Sequence, residues 1–447
     1  MGSTSLVNNS LASRWKTTFR ALKHRNFQLF FSGQLISLIG TWMQTIAESW
    51  LVYRMTGSSV LLGSIAFASQ IPVFLFAPLG GVAADRFSRH RVVIATQVSA
   101  MILALTYATL ILTNRITIKE IFVLASLLGV VNAFDIPARQ AFMVEMVGRE
   151  DLMNAIALNS SLFNGARIVG PAVAGMLIAK IGEGWCFFAN GVSYVAVITG
   201  LLMMRLPNVA RRRSRSQTGH IIEGFRFVRN NTPIRDILLL LGVISLVAMP
   251  YAVLMPIFAD RILHGGARGL GILMGATGVG ALLAALTLAA RSGLRGLGRF
   301  VGVAAVCFGV SLIAFSQSKI FLLSVILLVP VGYSMMLETT SSNTLIQAMV
   351  PDELRGRVLA VYTMMFMGMA PLGSLFAGIL AHRFGAPLTL SIGGVAAIVA
   401  GTIFLTRLQE FRVGARELVM AQGLAGGNPP QEIISDGATS PPFSGED

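Results

Sequence analysis

Residues 60–91 read VLLGSIAFASQIPVFLFAPLGGVAADRFSRHR. The stretch 60–84 holds no Asp, Glu, Lys or Arg, whereas Asp85, Arg86, Arg89 and Arg91 follow at once. A helix crosses a bilayer with about 20 mostly apolar residues. This stretch therefore predicts a membrane helix ending in a charged turn at one face. Its residues are continuously apolar rather than alternating, which favours a helix over a barrel strand.

Working outward, eleven further runs of this kind lie at 27–52, 92–113, 120–143, 153–179, 185–206, 236–259, 269–291, 300–317, 320–347, 355–382 and 387–406. The gaps are short and carry Gly, Pro, Asn or clustered Arg, as turns do. The expected fold is an all-α membrane protein with twelve transmembrane helices. Composition agrees: 54% of the 447 residues are hydrophobic and 12% charged, against about 25% charged in a soluble domain. Mean hydropathy is +0.72. A chain of soluble domains is excluded. A net charge of +15 would suggest a nucleic-acid binder only in a soluble protein, and no nucleic acid is expected here. With the N-terminus inside, 26 of the 35 Lys and Arg fall in segments, including span ends, on the cytoplasmic side. That asymmetry predicts both termini in the cytoplasm. The first apolar run outlasts a signal-peptide core and precedes no small-residue cleavage site, so it is expected to be retained. Leu6 stands where a myristoylation signal wants Ser or Thr.

The expected organisation is a cytoplasmic segment (1–26), a six-helix bundle (27–206), a linker (207–235), a second six-helix bundle (236–412) and a disordered tail (413–447) rich in Gly, Pro, Ser and acid. The linker opens on Arg211-Arg212-Arg213-Ser214-Arg215. Beyond it, Ile221, Ile222, Phe225 and Val228 mark one face of a short helix expected to lie on the inner membrane surface. The halves repeat. Gly175-Met176-Leu177 aligns with Gly378-Ile379-Leu380, an offset of 203 that also places Asp135 on Glu338. Repeated halves around a central site are the usual build of secondary transporters. Cys186 and Cys307 lie far apart in apolar runs and read as small buried residues rather than a disulfide or metal pair.

The loop Gly80-Gly81-Val82-Ala83-Ala84-Asp85-Arg86-Phe87-Ser88-Arg89-His90-Arg91 resembles the signature of the major facilitator superfamily, with Ser88 where that family usually has Gly. The resemblance implies a conformational lock built on Gly81, Asp85, Arg86, Arg89 and Arg91. In it, Gly81 permits close helix approach and Asp85 meets the start of the eleventh span near Leu354-Arg355. The other reading is a basic loop that sets topology. Gly165, Gly170, Pro171 and Gly175 resemble the Gly-Pro signature of the superfamily's antiporter branches, where small residues allow close packing. Phe134-Asp135-Ile136-Pro137-Ala138-Arg139, Glu223-Gly224-Phe225-Arg226 and Asp352-Glu353-Leu354-Arg355-Gly356-Arg357 are similar to the bacterial branch that includes enterobactin exporters. No GxxxxGK[ST] loop and no HExxH occur. No cofactor, no metal and no enzymatic activity are expected.

Charges inside spans cost at least ~2.5 kcal/mol each on insertion scales, so the few that exist are candidates for function. Glu48 and Arg167 are expected to face a central cavity and pair, unless Glu48 reaches the outer interface. Asp135 and Arg139 form an i,i+4 pair, read equally as an inner gate or a proton site. Glu338 has Ser342 four residues on instead of Arg, and an unpaired carboxyl in an apolar site can carry a proton. Gln34, Gln44 and Asn343 add cavity polarity, and the run Met364-Met365-Phe366-Met367-Gly368-Met369 offers a soft surface. These readings converge on a monomeric secondary transporter of the bacterial inner membrane, exporting an amphipathic small molecule (siderophore or drug-like) against proton entry. Proton-coupled uptake, and a lipid-handling protein of the same fold without solute flux, are the alternatives.

Overall fold

The computed structural model describes residues 19–205, 220–291, 293–294 and 296–424. Leu6, the cluster Arg211 to Arg215 and the tail beyond 424 lie outside the described residues. The long helices are α1 (Arg25–Thr56), α2 (Ser59–Arg86), α3 (Arg89–Leu112), α4 (Ile118–Val147), α5 (Leu152–Ile181) and α6 (Glu183–Leu202). A short helix α7 (His220–Asn230) precedes α8 (Thr232–Ile262), α9 (Gly266–Ala289), α10 (Leu297–Gln317), α11 (Phe321–Met349), α12 (Asp352–Phe384) and α13 (Ala386–Thr406), and α14 (Leu408–Leu424) closes the order. Among the described residues, eleven of these helices are long and apolar enough to cross a membrane. The twelfth expected span, α1, is 32 residues long but more polar. It carries Gln34, Ser37 and Gln44, all buried.

The helix ends follow local chemistry. Ser58 caps α2 by accepting from the Leu61 amide at 3.3 Å. At α4, Glu120 accepts from the Thr117 amide at 2.7 Å in a capping box. Among the described residues three π-helical turns occur in long helices, at Ile244–Ala248 within α8, at Phe258–Ile262 at its end and at Met364–Gly368 within α12. Such turns recur at functional sites, and the third falls on the methionine run.

The chain divides into two compact units, 1–214 with 256–275, and 215–255 with 276–447. The first is centred on Phe27, Phe30, Phe142, Met143 and Leu201. The segment 256–275 is held there by Tyr53, whose hydroxyl donates to Asp260 at 3.0 Å, and by Arg261, which donates to the Gly57 carbonyl at 3.3 Å. Buried Glu183 ties the start of α6 to Arg54 of α1 at 2.6 Å. In the second unit, α11 packs beside α9 around Ala284 and Leu337.

The 203-residue repeat recurs as geometry. Gly182 and Gly385 form the same turn, with φ of 90° and 83°. Their amides donate to the carbonyls of Ile178 and Ala381, which are also 203 apart. A Cβ on Gly129 would lie 2.4 Å from the Ser69 carbonyl oxygen of α2, and one on Gly332 would lie 1.9 Å from that of Thr277 of α9. Each half thus needs glycine where its fourth helix crosses its second.

Three expectations change. Residues 413–424 are helical within α14, because Phe411, Ala415 and Val419 recur every four residues and are buried. In α7, Val228 is buried while Phe225 is 39% exposed, and Glu223 ion-pairs with Arg357 of α12. The helix packs on protein along Gly224 and Val228, the latter a member of the expected apolar face, whereas Phe225 of that face is exposed; the side chains of Ile221 and Ile222 lie outside the described residues. Cys186 is buried, but Cys307 is exposed.

Candidate functional site

The acid on α4 is fully engaged. Asp135 is 4% exposed. Its Oδ1 accepts from the Gln97 amide at 3.0 Å and lies 2.8 Å from the Thr96 hydroxyl, whose one hydrogen it shares with the Val93 carbonyl at 2.8 Å, and Arg139 Nε lies 3.1 Å from Oδ2. The Arg139 pair follows from i,i+4 spacing. Thr96 and Gln97 sit on α3, some forty residues away in sequence, and nothing in the local pattern announces them.

The acid on α11 is provided for differently. Glu338 is 1% exposed. Ser342 donates to its Oε1 at 3.1 Å, and the Thr339 hydroxyl lies 3.4 Å from Oε2. That hydroxyl has one hydrogen and a better acceptor in the Met335 carbonyl at 2.8 Å. Among the described residues no cation pairs with Glu338. Ser341, one turn along and fully buried, has no hydrogen-bond partner for its hydroxyl. Tyr362 of α12 donates to the Thr339 carbonyl at 3.1 Å, two residues before the π-helical turn.

Glu48 and Arg167 are not brought together. Glu48 lies 3.2 Å from the hydroxyl of Tyr107, a buried residue that also donates to the Ile121 carbonyl at 2.9 Å. The Arg167 guanidinium lies over the Trp42 ring, 5.8 Å from its centroid. Two side chains at nearby depths on different helices pair only if both point to the same groove, and spacing along the chain does not settle that. Gln44 accepts from Asn190 at 2.6 Å, a buried partner that sequence reasoning missed. Asn343 accepts from Gln347 at 2.6 Å on its own helix.

The signature loop is organised around Arg89. It donates to the Ala141 carbonyl at 3.1 Å, pairs with Glu145 of α4 at 3.2 Å and lies 3.9 Å from Asp85. Arg86 and Arg91 are exposed. The close approach expected at Gly81 occurs one residue earlier. A Cβ on Gly80 would lie 2.0 Å from the Ala133 carbonyl oxygen, whereas one on Gly81 would meet nothing within 4 Å. In the fifth helix, Gly170 lies against Trp42 and Gly175 against Gly271, while Gly165 faces open space. Pro171 is buried within α5, which continues through it.

A family model described as "Transmembrane secretion effector" matches residues 16–421. The chain belongs to this family of the major facilitator superfamily. The staphyloferrin A transporter of Staphylococcus aureus is 27% identical, the match covering 84% of this chain and 94% of the relative. The multidrug efflux pump Tap of Mycolicibacterium fortuitum is also 27% identical over 84% and 95%. The enterobactin exporter EntS of Citrobacter koseri is 24% identical over 89% and 95%. Among solved structures, the nucleoside transporter NupG aligns with a TM-score of 0.65 at 14% identity, covering 86% of this chain and 98% of that one. A D-xylose-proton symporter aligns at 0.64 and 13%, covering 87% and 97%. This family member is therefore a multi-pass inner-membrane transporter of the major facilitator fold, resembling siderophore and drug exporters.

Proposed function

We propose that the protein is a proton-coupled exporter of an amphipathic small molecule, siderophore-like or drug-like, working by alternating access with both termini in the cytoplasm. The observation that carries this reading is Glu338, a fully buried carboxyl with one good hydrogen-bond donor and, among the described residues, no cation. Such a group can stay buried neutral and must find water or a partner when ionised, so loading and unloading a proton changes which conformation suits it. The relatives' names support the cargo class and the outward direction. In this reading the two repeats form rocking six-helix bundles, the monomer is the working unit and the basic loops meet anionic lipid. The loop around Asp85 and Arg89 serves as a cytoplasmic lock, opening when Asp85 exchanges partners. The test is cargo-dependent proton flux in proteoliposomes carrying wild-type protein or Glu338→Gln. The expected result is a flux that the substitution abolishes while cargo binding persists. A flux unchanged by the substitution would remove Glu338 from the mechanism, and the absence of any cargo-dependent flux from wild type would remove proton coupling itself.

A further inference from the structure

Among the described residues of the first unit, two arginines, Arg139 and Arg167, lie more than two turns from either end of their membrane helices, and they keep different company. Arg139 has a carboxylate at 3.1 Å. Among the described residues Arg167 has none, and its guanidinium rests on the indole of Trp42. Arg167 stands 15 residues after Leu152, the first residue of α5, and 14 before Ile181, its last. At about 1.5 Å per residue it is about 20 Å from either end. An arginine at that depth is kept where it faces a cavity or a partner. Glu48, the one acid on α1, lies beside Tyr107 and does not pair with Arg167. The surroundings are aromatic. Phe163, four residues before Arg167 on the same face of α5, meets Trp42 edge-on with centroids 5.5 Å apart. Gly170 lets α5 approach closely enough to hold the indole, since a Cβ there would fall 2.4 Å from that of Trp42.

We infer that Arg167 and Trp42 form a mid-membrane subsite for an organic anion, a carboxylate or phenolate borne on a flat apolar body. The guanidinium supplies a forked set of donors and the charge, and the indole supplies a wall for the body. The missing counter-charge at Arg167 is then brought by the cargo. This rests on the transport reading above and narrows it to anionic cargo. It does not require Glu338 to carry the proton.

The test is equilibrium binding of two probes, 1-naphthoate and its neutral analogue 1-naphthamide, to the full-length protein in lipid nanodiscs, with empty nanodiscs subtracted. Wild type is expected to bind naphthoate at least ~10-fold tighter, the scale of one charge-assisted hydrogen bond. Arg167→Gln should lose that preference and Arg167→Lys, keeping charge without the fork, should retain part of it. Equal or undetectable binding of both probes to wild type, or a preference that survives Arg167→Gln, overturns the subsite. If Arg167→Gln does not purify folded, Trp42→Leu decides. It should weaken both probes with the charge preference kept, and unchanged binding overturns the proposal. Both probe measurements are equilibrium binding without flux, so a failure of proton coupling at Glu338 and a failure of the subsite at Arg167 read out separately.

Discussion

Asp135 and Glu338 occupy the same place in the two repeats, 203 residues apart, each six residues after a glycine at a helix crossing, Gly129 or Gly332. Their surroundings differ. Asp135 is neutralised by Arg139 and receives Thr96 and Gln97. Glu338 has Ser342 where the repeat would put the arginine, and its remaining neighbours are hydroxyls already committed elsewhere or without partners. Duplicated helices thus share the packing that makes a crossing possible while the polar groups beside it diverge. One half has spent its acid on holding α3 and α4 together, and the other has left its acid available.

The largest expected effect follows directly. In proteoliposomes, Glu338→Gln should bring cargo-driven proton flux to the level of empty vesicles, whereas Asp135→Asn should reduce flux only in proportion to folded protein lost. The reverse pattern would invert the comparison. Next come the shared glycines. Gly129→Ala and Gly332→Ala should destabilise to a similar degree, by about 1–3 kcal/mol or more as overpacking does, measured as lower melting temperatures in detergent. A large cost at one and none at the other would mean that the crossings are not equivalent. Gly81→Ala, with open space around it, should leave melting unchanged or slightly raised.

Asp135→Asn should cost about 1–3 kcal/mol, because it leaves Arg139 without its carboxylate. Asp135→Asn with Arg139→Gln should recover part of that loss in a double-mutant cycle. The smallest effect lies outside the membrane at Asp151, which faces His24 at 2.8 Å and Arg20 at 2.7 Å. The hydrogen bond to His24, then the charge of Arg20, holds its carboxyl below the ordinary value of 3.8. A lowered folded value means that the contribution is complete above the ordinary value and is lost as pH falls through the folded one. Hydrogen exchange at the Ala21 amide, which donates to Asn154, should therefore stay protected near neutrality and speed up only below about pH 4. Asp151→Asn should remove that acid dependence.

How far the sequence could be read depended on the range of each interaction. The long helices were legible because transfer of each residue from water to lipid adds up along the chain. The Asp135–Arg139 pair was legible because a helix repeats every 3.6 residues. The 203-residue offset, read at Gly175 with Gly378 and at Asp135 with Glu338, extends in the structure to Gly182 with Gly385 and to Gly129 with Gly332. Only the tertiary structure decided which groups meet across helices: Thr96 and Gln97 at Asp135, Asn190 at Gln44, Tyr107 rather than Arg167 at Glu48, and Gly80 rather than Gly81 at the crossing with α4. The physical reason is rotation. One residue turns a helix by about 100°, so which side chain faces a neighbour is fixed by packing, while depth and helix length are written in the chain itself.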